Sequence, residues 1–265
     1  MKKTLRIILV LLPIFLMITS LTHADKKISE ETIKKSDEWY NKGASLIESG
    51  KYQDAIGALN KAIELNPRFA AAYTYRGVAN YFKQKYDKAI EDYDKAIELN
   101  PKDALTYINR GNAYGKKQQY DKAIEDYNKA IELNPKDEKT YHNRGNVYSL
   151  KQQYDKAIAD YNISIKLNPG DYKVYNSRGL AYRAKQQYDK AIEDFNRAVE
   201  LNPNDAWVYF HKARVYSLTN KINQACRMFN QSIENGFTNL NHFKSHKDFD
   251  NIRDSSCYKK IMSGK

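Results

Sequence analysis

The residues with the most obvious chemical potential are three pairs of adjacent acids, Glu91-Asp92, Glu125-Asp126 and Glu193-Asp194. Two carboxylates can share acid and base roles in hydrolysis when they converge on one substrate. Adjacent residues on a helix diverge around its axis instead, so these pairs suit a solvated, ion-paired face. His242 and His246 are four residues apart, a spacing that can place both on one helical face for a metal, with Cys257 as a further ligand. The residues between them, Phe243-Lys244-Ser245, lack the acid of the zinc-protease helix, so the pair reads as surface. A serine elbow, a phosphate-cradling glycine loop and a dinucleotide fingerprint are all missing from the sequence. The expectation is a chain that is not an enzyme and uses no cofactor or metal.

The elements that carry the acids explain their recurrence. "YDKAIEDYNKAIELNP" at Tyr120–Pro135 has counterparts starting at Tyr86, Tyr154 and Tyr188, so the period is 34 residues. In the copy from Ala104 to Asp137, Leu105, Ile108 and Asn112 form one helical stripe, and Tyr107, Gly111 and Tyr114 another. The second half repeats the pattern with Ala123, Tyr127 and Ala130. Asp121 is placed to cap this second helix, and Asn134-Pro135 ends it, because a residue before proline resists the α conformation. Glu125 precedes Lys129 by four residues, the favourable order for a helical ion pair. Each period therefore reads as two antiparallel helices.

Gly111 lies mid-helix, where glycine costs roughly 1 kcal/mol relative to alanine. It recurs as Gly43, Gly77, Gly145 and Gly179, and small Ala55, Ala89, Ala123, Ala157 and Ala191 recur on the second helix. A recurring cost implies a recurring gain, the close approach of the facing helix. Tyr107, Tyr114, Tyr120 and Tyr127 are then expected to fill the space between repeats. A two-helix unit cannot bury both faces alone, so neighbours must stack.

This arrangement resembles the tetratricopeptide repeat family, whose 34-residue pattern alternates large and small packing residues and ends on a proline. The first unit shows the match with Trp39, Gly43, Leu46, Ala55, Leu59, Ala62 and Pro67. The resemblance implies an all-α, right-handed superhelical solenoid of six helix-turn-helix units with a C-terminal helical cap. The units span 36–69, 70–103, 104–137, 138–171, 172–205 and a degenerate 206–237. In the second unit Asn80 stands at an aromatic position and Tyr81 follows it. In the sixth, Ser232 replaces an alanine and Phe237 the proline.

The resemblance also implies a concave groove lined by the first helix of each unit. Its candidate binding residues here are Tyr81, Phe82, Asn112, His142, Asn146, Asn176, Arg183, Trp207, Phe210 and Arg214. The groove positions differ between copies while the packing positions repeat, which places individuality on the groove. Large rings exposed in a groove suit anchoring, asparagines can bond a peptide backbone in both directions, and the cations suit carboxylates. The expected partner is a protein or an extended peptide, not a nucleic acid. A subfamily that clamps a terminal carboxylate is matched at Asn112, Asn143 and Lys173 but not at Ile108 or Ser177, so that activity is not inferred.

The termini add context. Lys2, Lys3 and Arg6, the apolar run Ile7–Ile18 and the small residues before Ala24 have the order of a signal peptide over 1–24. Export to the periplasm or outside is expected, with a retained N-terminal membrane anchor as the alternative. Residues 25–35 lead into the first helix, and Ser29-Glu30-Glu31 reads as its start. Of the net charge of +12, Lys2, Lys3 and Arg6 lie in the leader and the remainder is spread over helix faces, so a second expectation is peripheral contact with anionic cell-envelope glycan or lipid. Residues 238–265 read as two short helices, near 239–246 and 255–262, that cap the stack with Phe243, Phe249, Ile252, Tyr258 and Ile261. Cys226 and Cys257 could bridge in an oxidising compartment, or remain two thiols.

Overall fold

The computed structural model describes residues 29–239, 241, 244 and 246–263. The expected signal peptide over 1–24, His242 and Phe243 lie outside the described residues, as does half of the expected cap helix near 239–246. The chain divides into two compact units, residues 1–101 and 102–265. Every described helix is too short or too polar to cross a membrane.

The first unit contains α1 (Glu30–Glu48), α2 (Tyr52–Leu65), α3 (Ala70–Phe82) and α4 (Tyr86–Leu99). Ser29 caps α1 by accepting a hydrogen bond from the Thr32 N–H, with Glu30 and Glu31 in the first turn to favour the dipole. The second unit contains α5 (Ala104–Lys116), α6 (Tyr120–Leu133), α7 (Glu138–Leu150), α8 (Tyr154–Leu167), α9 (Tyr172–Ala184), α10 (Tyr188–Leu201), α11 (Ala206–Leu218) and α12 (Ile222–Glu234). A short 3-10 helix, Lys247–Ile252, and α13 (Ser256–Ser263) follow.

Each of the middle helix pairs is organised by a glycine against a ring. A Cβ placed on Gly77, Gly111, Gly145 or Gly179 would fall 2.5–2.9 Å from the ring sixteen residues on: Tyr93, Tyr127, Tyr161 or Phe195. The ring takes the volume that a side chain would occupy, which is the gain that offsets glycine's helical cost. Tyr127 does two jobs: it fills the space at Gly111 and packs with Val147 of the next repeat.

The turns within repeats share one device. Gln118 has φ +58°, its N–H bonds to the Gly115 carbonyl, and the Gln119 N–H bonds to the Tyr114 carbonyl. This pair of bonds is a Schellman C-cap, which usually places glycine at the left-handed position. Gly50 holds that place after α1, whereas Gln84, Gln152, Gln186 and Asn220 hold it elsewhere.

Three local expectations are corrected. Asp121 does not cap α6: the N-cap residue is Gln119, which makes no side-chain cap, and Asp121 lies in the first turn and pairs with Lys151 of the next repeat. Lys129 pairs with Glu132 at 2.8 Å rather than with Glu125. The acid pairs are not wholly solvated: the aspartate of each, Asp92, Asp126 and Asp194, is buried, as is the equivalent Asp160.

At the C-terminal end, Phe249, Ile252 and Tyr258 are buried with Phe210 and Phe229, and Cys226 is bonded to Cys257. Ser232 keeps the small volume of the alanine it replaces, and its hydroxyl donates to the Ala206 carbonyl at 2.9 Å.

Candidate functional site

The first helices of the second unit, α5, α7, α9 and α11, present the candidate groove residues. Along α5 and α7 a polar row is tied to the tyrosines beneath it. The Tyr127 hydroxyl donates to Asn112 Oδ1 at 2.7 Å, and the Tyr161 hydroxyl donates to Asn146 Oδ1 at 2.8 Å. Asn143 Nδ2 reaches the same Asn112 oxygen at 3.3 Å. These bonds fix the amide orientation, because a carbonyl that accepts from tyrosine turns its NH₂ group away.

Between α7 and α9, Asn146, Ser149, Leu150, Tyr161, Ser177 and Leu180 line a recess of about 300 Å³. Leu150 at its rim is 62% exposed, and Leu105 on α5 is 50% exposed. His142 sits at one side, its Nε2 3.0 Å from Ser177 Oγ and its ring edge-on to Tyr161 at 5.8 Å. Burial lowers the His142 pKa below the ordinary histidine value; the Asp171 charge opposes this and Lys173 adds to it. The imidazole is therefore neutral near pH 7. Asn176 is half-buried on the next helix. Together these groups offer amide, hydroxyl and imidazole partners beside an apolar rim, which suits a peptide backbone and its side chains.

The far end differs from the sequence expectation. Phe210 is no exposed anchor: it is 0% exposed, stacked on Phe237 at 5.0 Å and packed against Phe249 at 5.7 Å. The residue in the proline place, Phe237, and the C-terminal segment cover it together. Arg183 and Arg214 are not open cations either. Arg183 Nη1 donates to Asp248 Oδ2 at 2.6 Å, and Arg214 Nε donates to the same oxygen at 2.8 Å. Trp207 keeps 51% of its surface exposed, with its ring edge-on to Phe237 at 4.9 Å.

In the first unit, Phe82 is exposed and stacks flat on Tyr52, with ring centres 4.9 Å apart. Tyr81 is half-buried and meets Phe82 and Tyr86 edge-on. Beside α2, α3 and α4 a recess of about 360 Å³ is lined by Asn60, Arg76, Asn80, Lys85, Lys88 and Asp92 among others. Asn80 stands where an aromatic was expected because its amide donates to Asp92 at 3.0 Å.

Sequence reasoning missed the arginines. Arg76, Arg110, Arg144 and Arg178 each grip the buried aspartate sixteen residues on, Asp92, Asp126, Asp160 or Asp194, with closest contacts of 2.6–2.7 Å. Burial weighs against the Arg178 charge, but the bond and the charge of Asp194 more than offset it and hold the guanidinium above its ordinary pKa. The signal was present: arginine recurs at the repeat period in the first helices of the second to fifth units.

Stacked helix pairs with a repeated glycine–ring contact and a repeated buried ion pair define an all-α repeat protein of the helical-solenoid class. Tetratricopeptide repeat family models match residues 40–104, then 104–137, 138–171 and 172–205, then 195–227. The chain belongs to the tetratricopeptide repeat family. No curated protein matches it. Among solved structures it is similar to MamA, with 28% identity and a TM-score of 0.58 over 65% of this chain and 94% of that one. PilF of Pseudomonas aeruginosa shares the fold at 17% identity, with a TM-score of 0.70 over 89% of this chain and 100% of that one. YrrB, described as a tetratricopeptide protein with an unusual peptide-binding site, shares the fold at 24% identity and a TM-score of 0.58, over 71% of this chain and 98% of that one.

Proposed function

We propose that this chain is an exported, non-catalytic scaffold that binds an extended segment of another protein on the first-helix face of residues 104–184. The family is a protein-interaction scaffold, and that supports the general class. The observation that carries the particular reading is the recess of Asn146, Ser149, Leu150, Tyr161, Ser177 and Leu180. Asn146 in its floor is held in place by Tyr161, and Leu150 at its rim is left in solvent. Fixed amides reduce the ordering cost of binding. The exposed leucines supply apolar area that a partner can remove from water.

Photo-crosslinking tests this. A benzoylphenylalanine at Leu150 should yield a protein adduct in the native cell envelope, and one at exposed Glu132 should not. Equal labelling from both positions, or none from Leu150, would sink the reading. Binding to anionic glycan or lipid is the competing outcome, and salt separates the two. Polyelectrolyte attraction collapses at high ionic strength, whereas a groove with apolar anchors retains affinity. Several lysines already pair with acids, including Lys95 with Glu98 and Lys129 with Glu132, which leaves less charge for that role.

A further inference from the structure

The segment Lys247–Ile252 lies on α11 and makes contacts of the kind a bound peptide would make. Its Asp248 joins two guanidiniums from different repeats, Arg183 of α9 and Arg214 of α11. Its Asn251 side chain donates to the Ser217 carbonyl at 3.1 Å. Its Phe249 and Ile252 are fully buried beside Phe210 and Phe229. An acid, then an aromatic, then an aliphatic three residues on: this is a recognition pattern, with a charge for orientation and two apolar anchors.

Without a carboxylate between them, Arg183 and Arg214 would face each other across a half-buried site. Burial already disfavours the charge on Arg214, and Arg183 adds to that effect. The site therefore needs an anion. Asp248 supplies one through a single oxygen, Oδ2, for both arginines. A carboxylate seated on both oxygens would make stronger, bidentate bonds.

We propose that Arg183 and Arg214 form a receptor for an acidic-aromatic segment of a partner protein, and that residues 247–252 are a tethered internal ligand occupying it. The inference rests on reading the first-helix face as the binding face. The Cys226–Cys257 bond fastens the chain five residues beyond Ile252, so the segment stays at high effective concentration near its site. A partner must outcompete it. That requirement sets a threshold which weak acidic peptides do not pass.

The probe is a fluorescein-labelled synthetic peptide of residues 244–254, KSHKDFDNIRD. In the full chain, Asp248→Asn weakens the internal ligand while keeping its shape. The peptide should bind this variant at least about tenfold more tightly than it binds the parent chain. Adding Arg183→Ala with Arg214→Ala should abolish the gain. Peptide binding that is equal in parent and variant, or that is indifferent to the two arginines, would overturn the proposal. A second measurement avoids dependence on variants. In the parent chain, excess peptide should speed hydrogen exchange at the Phe249 and Arg253 amides, which bond to His246 and Asp250 carbonyls. Unchanged exchange at saturating peptide would mark the segment as a permanent cap and also overturn it. Crosslinking from Leu150 does not involve this site, so the two readings can fail separately.

Discussion

Arg144 and Asp160, sixteen residues apart on facing helices, meet through two parallel hydrogen bonds: Nε to Oδ2 at 2.8 Å and Nη2 to Oδ1 at 2.7 Å. The fork geometry matches the planar carboxylate, and the aspartate side chain is only 5% exposed. Removing one partner strands the other charge in a dry place. Asp160→Ala should therefore cost about 3 kcal/mol in urea unfolding. Arg144→Met combined with Asp160→Leu should cost less than the single change, since neither charge is then stranded. A double variant as unstable as the sum of the two single ones would show that the pair is not coupled.

Gly145 and Gly57 make opposite predictions from the same substitution. A Cβ on Gly145 would lie 2.7 Å from Tyr161 Cε1 and 3.3 Å from the Ala157 carbonyl oxygen, so both the ring and the facing backbone would have to give way. Gly145→Ala should destabilise by about 1–3 kcal/mol. Nothing lies within 4 Å of a Cβ on Gly57, which is in the middle of α2. Gly57→Ala should stabilise by up to about 1 kcal/mol through helix propensity. Thermal melts of both variants check the signs.

Gly145 and its counterparts were legible in the sequence because they recur at the repeat period and mid-helix glycine demands a reason. The helices, their phase and the asparagine-proline stops were legible on the same ground. The Arg144–Asp160 pair is half legible: the acid pairs mark Asp92, Asp126 and Asp194, but Ala159, at the place of Glu91, Glu125 and Glu193, leaves Asp160 outside the paired-acid pattern. What sequence could not show was the fate of the groove's far end. Phe210 and Arg214 occupy groove positions by register, yet a segment well beyond them in the chain, around Asp248 and Phe249, covers them. The repeat rule describes nearest neighbours and carries no information about a non-repeating tail.

Gln152 offers a test of backbone strain. Its φ of +58° places a side-chain-bearing residue in the left-handed region, which costs roughly 1 kcal/mol. The equivalent turn after α1 uses Gly50 at φ +71°. Gln152→Gly should relieve the strain and raise stability by up to about 1 kcal/mol, less the extra freedom glycine gains in the unfolded chain. A fall in the unfolding midpoint would show that the relieved strain is smaller than the unfolded-state freedom that glycine adds.

His142 gives the pH prediction. Burial lowers its pKa in the folded chain, so the unfolded chain binds the proton more readily, near the ordinary value of about 6.5. Stability from this group is then complete above that value and is lost as pH falls below it, until the folded form also protonates. His142→Gln keeps a side chain that can bond Ser177 Oγ but removes the titration. The parent chain should lose stability relative to this variant between about pH 7 and pH 5 in paired urea titrations. The imidazole ring signals should also show a midpoint below about 6.5 in proton NMR. A midpoint at or above that value would mean that the ring is open to solvent or faces a carboxylate. The recess beside Tyr161 would then be wetter than its packing implies, and the fixed amide of Asn146 would give a partner less advantage.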